Sequence, residues 1–171
     1  MSEHSPVEPT SATVPNPRAK LIAITLDQAS IQAGSHHIDH EREVAIFDII
    51  DGNVFALEGR DDGPFKLALS LADEKLMFNV ATQATADAYV HALALTPFKR
   101  IIRDYFAVCD NYYEAIRSAP PAHIQAIDIE RRRLHDEGSR VLVERLAGKI
   151  TVDTDTARRL FTLIAALHWR G

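Results

Sequence analysis

The chain contains one cysteine, Cys109, so an intramolecular disulfide framework is excluded and a reducing cytoplasm is the expected setting. It has no long apolar run. The longest, residues 160–167, covers eight positions and is interrupted by Thr162, far below the ~20 residues that span a bilayer. It has no basic excess: the formal net charge is −5, and the +3 carried by residues 96–171 falls short of the cationic stripe of a nucleic-acid binder. Glycine-rich phosphate loops, G-x-S-x-G elbows, paired Cys-x-x-Cys ligands and dinucleotide fingerprints are all missing. The opening MSEHSPVEPT lacks the basic start and apolar stretch of a secretory signal, so none is expected.

What is present is enough for one ordinary domain. The 171 residues are 46% hydrophobic, which suffices for a real core. Residues 1–19 hold four prolines among Ser, Thr and Glu and are expected to form a disordered leader outside the fold. Residues 20–171 are then expected to form a single α+β domain. LIAITL reads as a first strand. HHIDHEREVAIFDIID follows Ser35 and places Val44, Phe47 and Ile50, with Ile46, at helical spacing, predicting an apolar face there. Residues 54–57 read as a short strand. Phe65, Leu67, Leu69 and Leu71, then Leu76, Phe78 and Val80, alternate on either side of Ala72-Asp73-Glu74-Lys75, which predicts a hairpin.

Beyond Thr82 the pattern reads as helical. Residues 84–95 are expected to form a helix, and Thr96-Pro97 to open a strongly amphipathic one over 97–118. Pro120-Pro121 ends that helix and starts another, running to about Ala147. In it Asp128, Arg132, Asp136, Arg140 and Glu144 stand four apart with alternating charge, a ladder in which each opposite-charge step adds about 0.2–0.5 kcal/mol. Such a ladder marks a solvated face. KITV is a short extended stretch and residues 156–168 a final, central helix, with Trp169 expected to clamp the terminus. The fold class is therefore α+β: a small antiparallel sheet with one helix, packed on a C-terminal helical layer built around a long antiparallel helix pair.

The side of the third helix opposite the ladder is apolar except for Arg131, Gly138 and Arg145 at intervals of seven, with His135 on its flank. If the two long helices pair about the Ala119–Pro121 turn, facing residue numbers sum to about 240. Tyr105 then meets His135, Cys109 meets Arg131, and Ile102 meets Gly138. Tyr105, Cys109, Arg131 and His135 form the candidate binding cluster. A guanidinium nearby would lower the Cys109 pKa, His135 could carry a proton, and Arg131 could grip a carboxylate or phosphate. The competing account is a satisfied polar network inside an ordinary helix pair.

His36, His37 and His40, with Asp39, Glu41 and Glu43, offer an i, i+4 histidine pair. No third ligand of clear geometry accompanies it, so neither metal nor cofactor is expected. Arg131-Arg132-Arg133 is neutralised by Glu130, Asp136 and Glu137. Lys99, Arg100 and Arg103 cluster better but lie beside Asp104, so nucleic acid is an improbable partner.

HIDHEREVAIFDII, TPFKRIIRDYF, YYEAIRSA, RRLHDEGS, ERLAGKI and DTARRLFTLIAALHWRG, in that order, resemble an uncharacterised protein family known from alphaproteobacteria. The resemblance spans about residues 20–171. It implies a bacterial, cytoplasmic setting and brings no catalytic residue with it. Two functions stay open: a binding or regulatory module that recognises a protein or small anionic ligand, and a small enzyme using Arg131, His135 and Cys109.

Overall fold

The computed structural model describes residues 16–167. Asn16 to Ala19, expected in the leader, form a turn held by Asn16 Nδ2 donating to Asp61 Oδ1 at 2.8 Å. The elements that follow are β1 (Leu21–Leu26), α1 (His36–Asp51), β2 (Phe55–Leu57), β3 (Phe65–Ala72), β4 (Lys75–Ala81) and β5 (Tyr89–Ala94). Next come a 3-10 turn (Thr96–Phe98), α2 (Lys99–Ser118), α3 (Pro121–Leu146), β6 (Ile150–Val152) and α4 (Thr154–Leu167). The class is α+β, and the long helix pair is α2 and α3.

The four-stranded sheet has the order β1-β3-β4-β5 and is mixed, not wholly antiparallel. β1 pairs parallel to β3, while β3, β4 and β5 form an antiparallel meander. The parallel pair follows from the α1 crossover, since parallel strands need a long connection. Asp73 and Glu74 close the β3–β4 hairpin with φ of 50° and 61°, the left-handed geometry that matches strand twist in a two-residue turn. β2 and β6 form a separate two-stranded ladder.

Residues 84–95 are not a helix. Their C-terminal half is β5, paired along β4 from Val80↔Tyr89 to Lys75↔Ala94. Val90, Ala92 and Ala94 point out while Leu93 is buried, an alternation that the alanine content disguised. Strand pairing has overridden local propensity here.

The expected apolar face of α1 is also displaced. Val44 and Phe47 are 44% and 69% exposed, whereas Ile38, Arg42, Ala45 and Ile49 are buried. The inward Arg42 is satisfied: Nε donates to the Ala166 carbonyl at 3.1 Å and Nη1 to the Gln32 carbonyl at 2.9 Å. A guanidinium on the last turn of α4 suits the partial negative charge of a helix C-terminus. Periodicity alone could not assign an arginine to the core. Ser35 does cap α1 as expected, accepting from Ile38 N at 3.2 Å.

α4 runs through the centre. Leu160, Phe161, Leu163 and Ile164 are buried against α1, α3 and the sheet side of the core. Asp153 Oδ1 accepts from Thr156 N, and the Thr156 hydroxyl in turn accepts from Val54 N at 2.8 Å, tying the start of α4 to β2. At Gly138 α3 packs tightly against Phe161 of α4. A methyl group built there would stand 2.2 Å from Phe161 Cε2. The close approach that Gly138 permits is made to Phe161 of α4. Trp169 lies outside the described residues.

Candidate functional site

α2 and α3 pair antiparallel with the expected register. The Tyr105 and His135 rings are 5.7 Å apart, and the Arg131 guanidinium lies 4.9 Å over the Tyr112 ring. Arg100 Nη2 reaches Glu137 Oε1 at 2.9 Å. Near the middle of α3 this pair opens against α4, leaving a cleft of about 440 Å³ lined by Tyr105, Arg131, Arg132, His135, Arg158 and Thr162.

Three of the four expected residues line the cleft. Cys109 does not, although its thiol bonds with Tyr105 just behind. Burial pushes the Cys109 thiol up, and Tyr105 and Arg131 only partly offset that. The expected reactive thiolate is thus corrected to a protonated thiol, because burial outweighs the lowering effect of the guanidinium. Arg131 Nη2 and Nε donate to Asp128 Oδ1 at 2.5 and 3.2 Å. Arg131 is also less inward than its position on the helix suggested, with its side chain 35% exposed.

The charge ladder is only partly realised. Arg132 Nη2 meets Asp128 Oδ2 at 2.9 Å, and Arg140 meets Glu144 at 3.9 Å. Asp136 instead bonds Arg158 of α4. The three arginines of the cleft consequently share two carboxylate partners, Asp128 and Asp136, and one positive charge is left over. The Arg131 bond holds the Asp128 carboxyl below the ordinary carboxylate range.

His135 sits at the floor. Its Nε2 lies 2.8 Å from the Thr162 hydroxyl, which donates its single proton to the Arg158 carbonyl at 3.1 Å. Thr162 therefore accepts from His135, which assigns the proton to Nε2 and leaves the buried Nδ1 as an acceptor with no partner among the described residues. Burial, with Arg158 and Arg131 nearby, pushes the imidazole down to about 4, so the ring is neutral at pH 7. It meets Phe161 edge-on with ring centroids 5.3 Å apart.

Arg132, Arg158 and Thr162 were absent from the expected cluster. Asp155, Arg158, Arg159 and Thr162 form a polar stripe at spacings of three and four, the one signal that α4 presents a wet face toward another helix. His36, His37 and His40 are exposed on α1, and His37 faces Glu41 at 3.4 Å. Among the described residues no group of three His, Cys, Asp or Glu side chains could hold a metal ion, and no helix is long and apolar enough to cross a membrane.

The architecture is that of a small α+β protein whose three C-terminal helices frame an arginine-lined cleft. The chain belongs to the Uncharacterised protein family (UPF0262), whose model matches residues 18–170. It is similar to a UPF0262 protein of Nitrobacter winogradskyi, 50% identical over 171 residues that cover 100% of this chain and 99% of the relative. It is likewise similar to one of Rhodopseudomonas palustris strain TIE-1, 52% identical over 152 residues, covering 89% of this chain and 93% of that one. A Nitrobacter hamburgensis relative is 51% identical over 90% of this chain and 94% of its own length. No solved structure matches the chain.

Proposed function

We infer that this protein is a cytoplasmic binding module for a small anion, carrying a carboxylate or phosphate, held in the cleft between α2, α3 and α4. The observation that carries this reading is the charge inventory of the cleft: Arg131, Arg132 and Arg158 against Asp128 and Asp136. A carboxylate or phosphate supplies the missing negative charge and can accept paired N–H bonds from a guanidinium. Neutral His135 adds no charge, so the surplus comes from the arginines and persists across the physiological pH range. An anion in place would exchange water for guanidinium contacts without first displacing both carboxylates.

A small enzyme built on Arg131, His135 and Cys109 has less support, because burial keeps the thiol protonated.

Thermal melts in inorganic phosphate and in citrate test the binding reading. A ligand at 100 times its Kd stabilises by about 2.7 kcal/mol. The wild type should gain such stabilisation with a saturable dependence on anion concentration. Arg158→Gln should lose most of it while still folding, since Arg158 is partly exposed. Equal responses of wild type and Arg158→Gln, or no response beyond that to matched sodium chloride, would sink the reading.

A further inference from the structure

Away from the arginine cleft, β1 forms one edge of the four-stranded sheet. It pairs with β3 alone, and among the described residues no strand lies on its other side. Along a parallel strand, successive residues point their N–H and C=O groups alternately toward the neighbour and away from it. Asp27 N donates to the Leu69 carbonyl at 2.9 Å, which turns the backbone groups of Leu26 and Ile24 outward. At the head of the strand the outward position is Leu21, and there a side chain replaces the missing neighbour. Asn53 Oδ1 accepts from Leu21 N at 2.7 Å, and Asn53 Nδ2 donates to the Leu21 carbonyl at 3.0 Å. The outward groups of Ile24 and Leu26 have no such partner among the described residues.

This open end of β1 is one wall of a second cleft, of about 700 Å³. Leu26, Ile31 and Ile46 supply apolar lining, and Asp39 and Glu43, one turn apart on α1, stand across from the strand. Asp39 Oδ1 accepts from Gly34 N at 2.8 Å, and Glu43 has no ion pair among the described residues. Arg42 is the one cation in the lining. Its Nε and Nη1 donate to carbonyls, its Nη1 lies 3.6 Å from Asp39, and its side chain is buried. Asp27, next to Leu26, adds a further carboxylate. Lys20 and Lys66 belong to the other half of the strand, before Leu21 and opposite Ala23. An acidic cleft thus adjoins an unpaired strand edge.

We propose that the free edge of β1 takes an extended, lysine- or arginine-bearing segment of a partner protein as an added strand. The segment's backbone pairs with Ile24 and Leu26, a mode in which main-chain bonds give affinity and side-chain contacts give selectivity. Its side chains on the α1 side reach across the cleft. Aliphatic stems lie on Leu26, Ile31 and Ile46, and cationic heads meet the carboxylates of Asp39 and Glu43. An acidic segment is repelled by the same pair. Free strand edges are normally blunted by charge, proline, a bulge or a covering element. Here Asn53 closes only the head of the strand, and the part left open is the part that faces the carboxylates.

Fluorescence anisotropy on the full chain, with a labelled octapeptide of alternating lysine and valine, tests this. Binding is expected with a Kd on the order of 10–100 µM, weakening as salt is raised. The matching peptide of glutamate and valine should not bind. An extended peptide turns alternate N–H groups to one edge, so N-methylation of every lysine and N-methylation of every valine block opposite edges. One of these two peptides should bind about tenfold more weakly than the other, through the backbone bonds it loses to Ile24 and Leu26. Glu43→Lys, at an exposed position, should weaken the unmodified peptide by about fivefold with unchanged circular dichroism. No binding, equal binding of the glutamate peptide, or equal losses on the two N-methylations overturns the proposal. So does a chain that dimerises in sedimentation velocity and takes up no peptide, which assigns the edge to a second copy.

Discussion

The two halves of α3 live under different conditions. From Leu134 onward the helix buries Leu134, Gly138, Ser139, Leu142 and Leu146, whereas none of residues 121–133 is fully buried. The outer half lies along α2, whose own far end leaves Tyr113 and Ile116 exposed, as Ile129 is on α3. Both halves carry the same charged ladder, so the ladder explains why the helix is continuous and says nothing about what covers its other side. The cleft lies where one regime gives way to the other. Arg131 and Arg132 are among the last residues before the helix enters the core, His135 is among the first within it, and α4 arrives there with Arg158 and Thr162. Polar groups can gather at that junction because it has neighbours on three sides but is not sealed.

The sharpest way to break this contrast is a pair of substitutions at helical positions. Ala126→Gly, exposed in the outer half, should cost about 1 kcal/mol from helix propensity alone. Gly138→Ala gains that same propensity, yet its new methyl would overlap the ring of Phe161, which is fully buried and cannot step aside. Overpacking should dominate, giving a net loss of about 1–2 kcal/mol in urea denaturation. If Gly138→Ala is neutral or stabilising, the base of α3 is not tightly packed and the comparison fails.

That glycine also shows how far the sequence could be read. The Pro120-Pro121 turn and the stripes beside it are local signals, and they placed Tyr105 against His135 correctly. That a small residue at 138 permits close approach was legible too. Which partner approaches was not, because Phe161 comes from an element with no local link to α3. The same holds for Arg158 and Thr162, which reach the cleft only through tertiary packing. It holds again for α1, where contact with α4 selected the face carrying Arg42 over the one carrying Phe47. In β5 an alanine-rich run looked helical until β4 supplied a ladder. Interactions four residues apart were readable, and those set by a distant neighbour were not.

His135 sharpens the comparison through pH. Its folded pKa, about 4, lies below the ordinary 6.5, so the unfolded chain binds its proton first as pH falls. The contribution of the neutral ring is fully present above 6.5, is lost as pH falls toward 4, and is constant below that. With the ring partly exposed and screened, the loss should be about 1–2 kcal/mol. His135→Gln retains a donor for Thr162 but cannot titrate. Stability measured between pH 7 and 4.5 should therefore fall less steeply in the variant by about that amount. Parallel profiles would mean that the junction is wetter than its geometry suggests.

The smallest expected effects distinguish adjacent arginines. Arg131 stacks on Tyr112 and donates two bonds to Asp128, with its side chain 35% exposed. Arg132 makes one contact with the same carboxylate and is 69% exposed. Arg131→Ala should cost about 1 kcal/mol, mostly the lost cation–π contact and packing. Arg132→Ala should cost under ~0.5 kcal/mol, as expected of an exposed ion pair. Because both hold Asp128, either one alone can keep that carboxylate engaged. The double variant leaves it with no arginine partner at the edge of the cleft and should cost more than the sum of the single changes. A double-mutant cycle in urea measures the excess. Strict additivity, with equal small losses at both positions, would place Arg131 in the outer regime with Arg132. The cleft would then lose one of its three fixed cations.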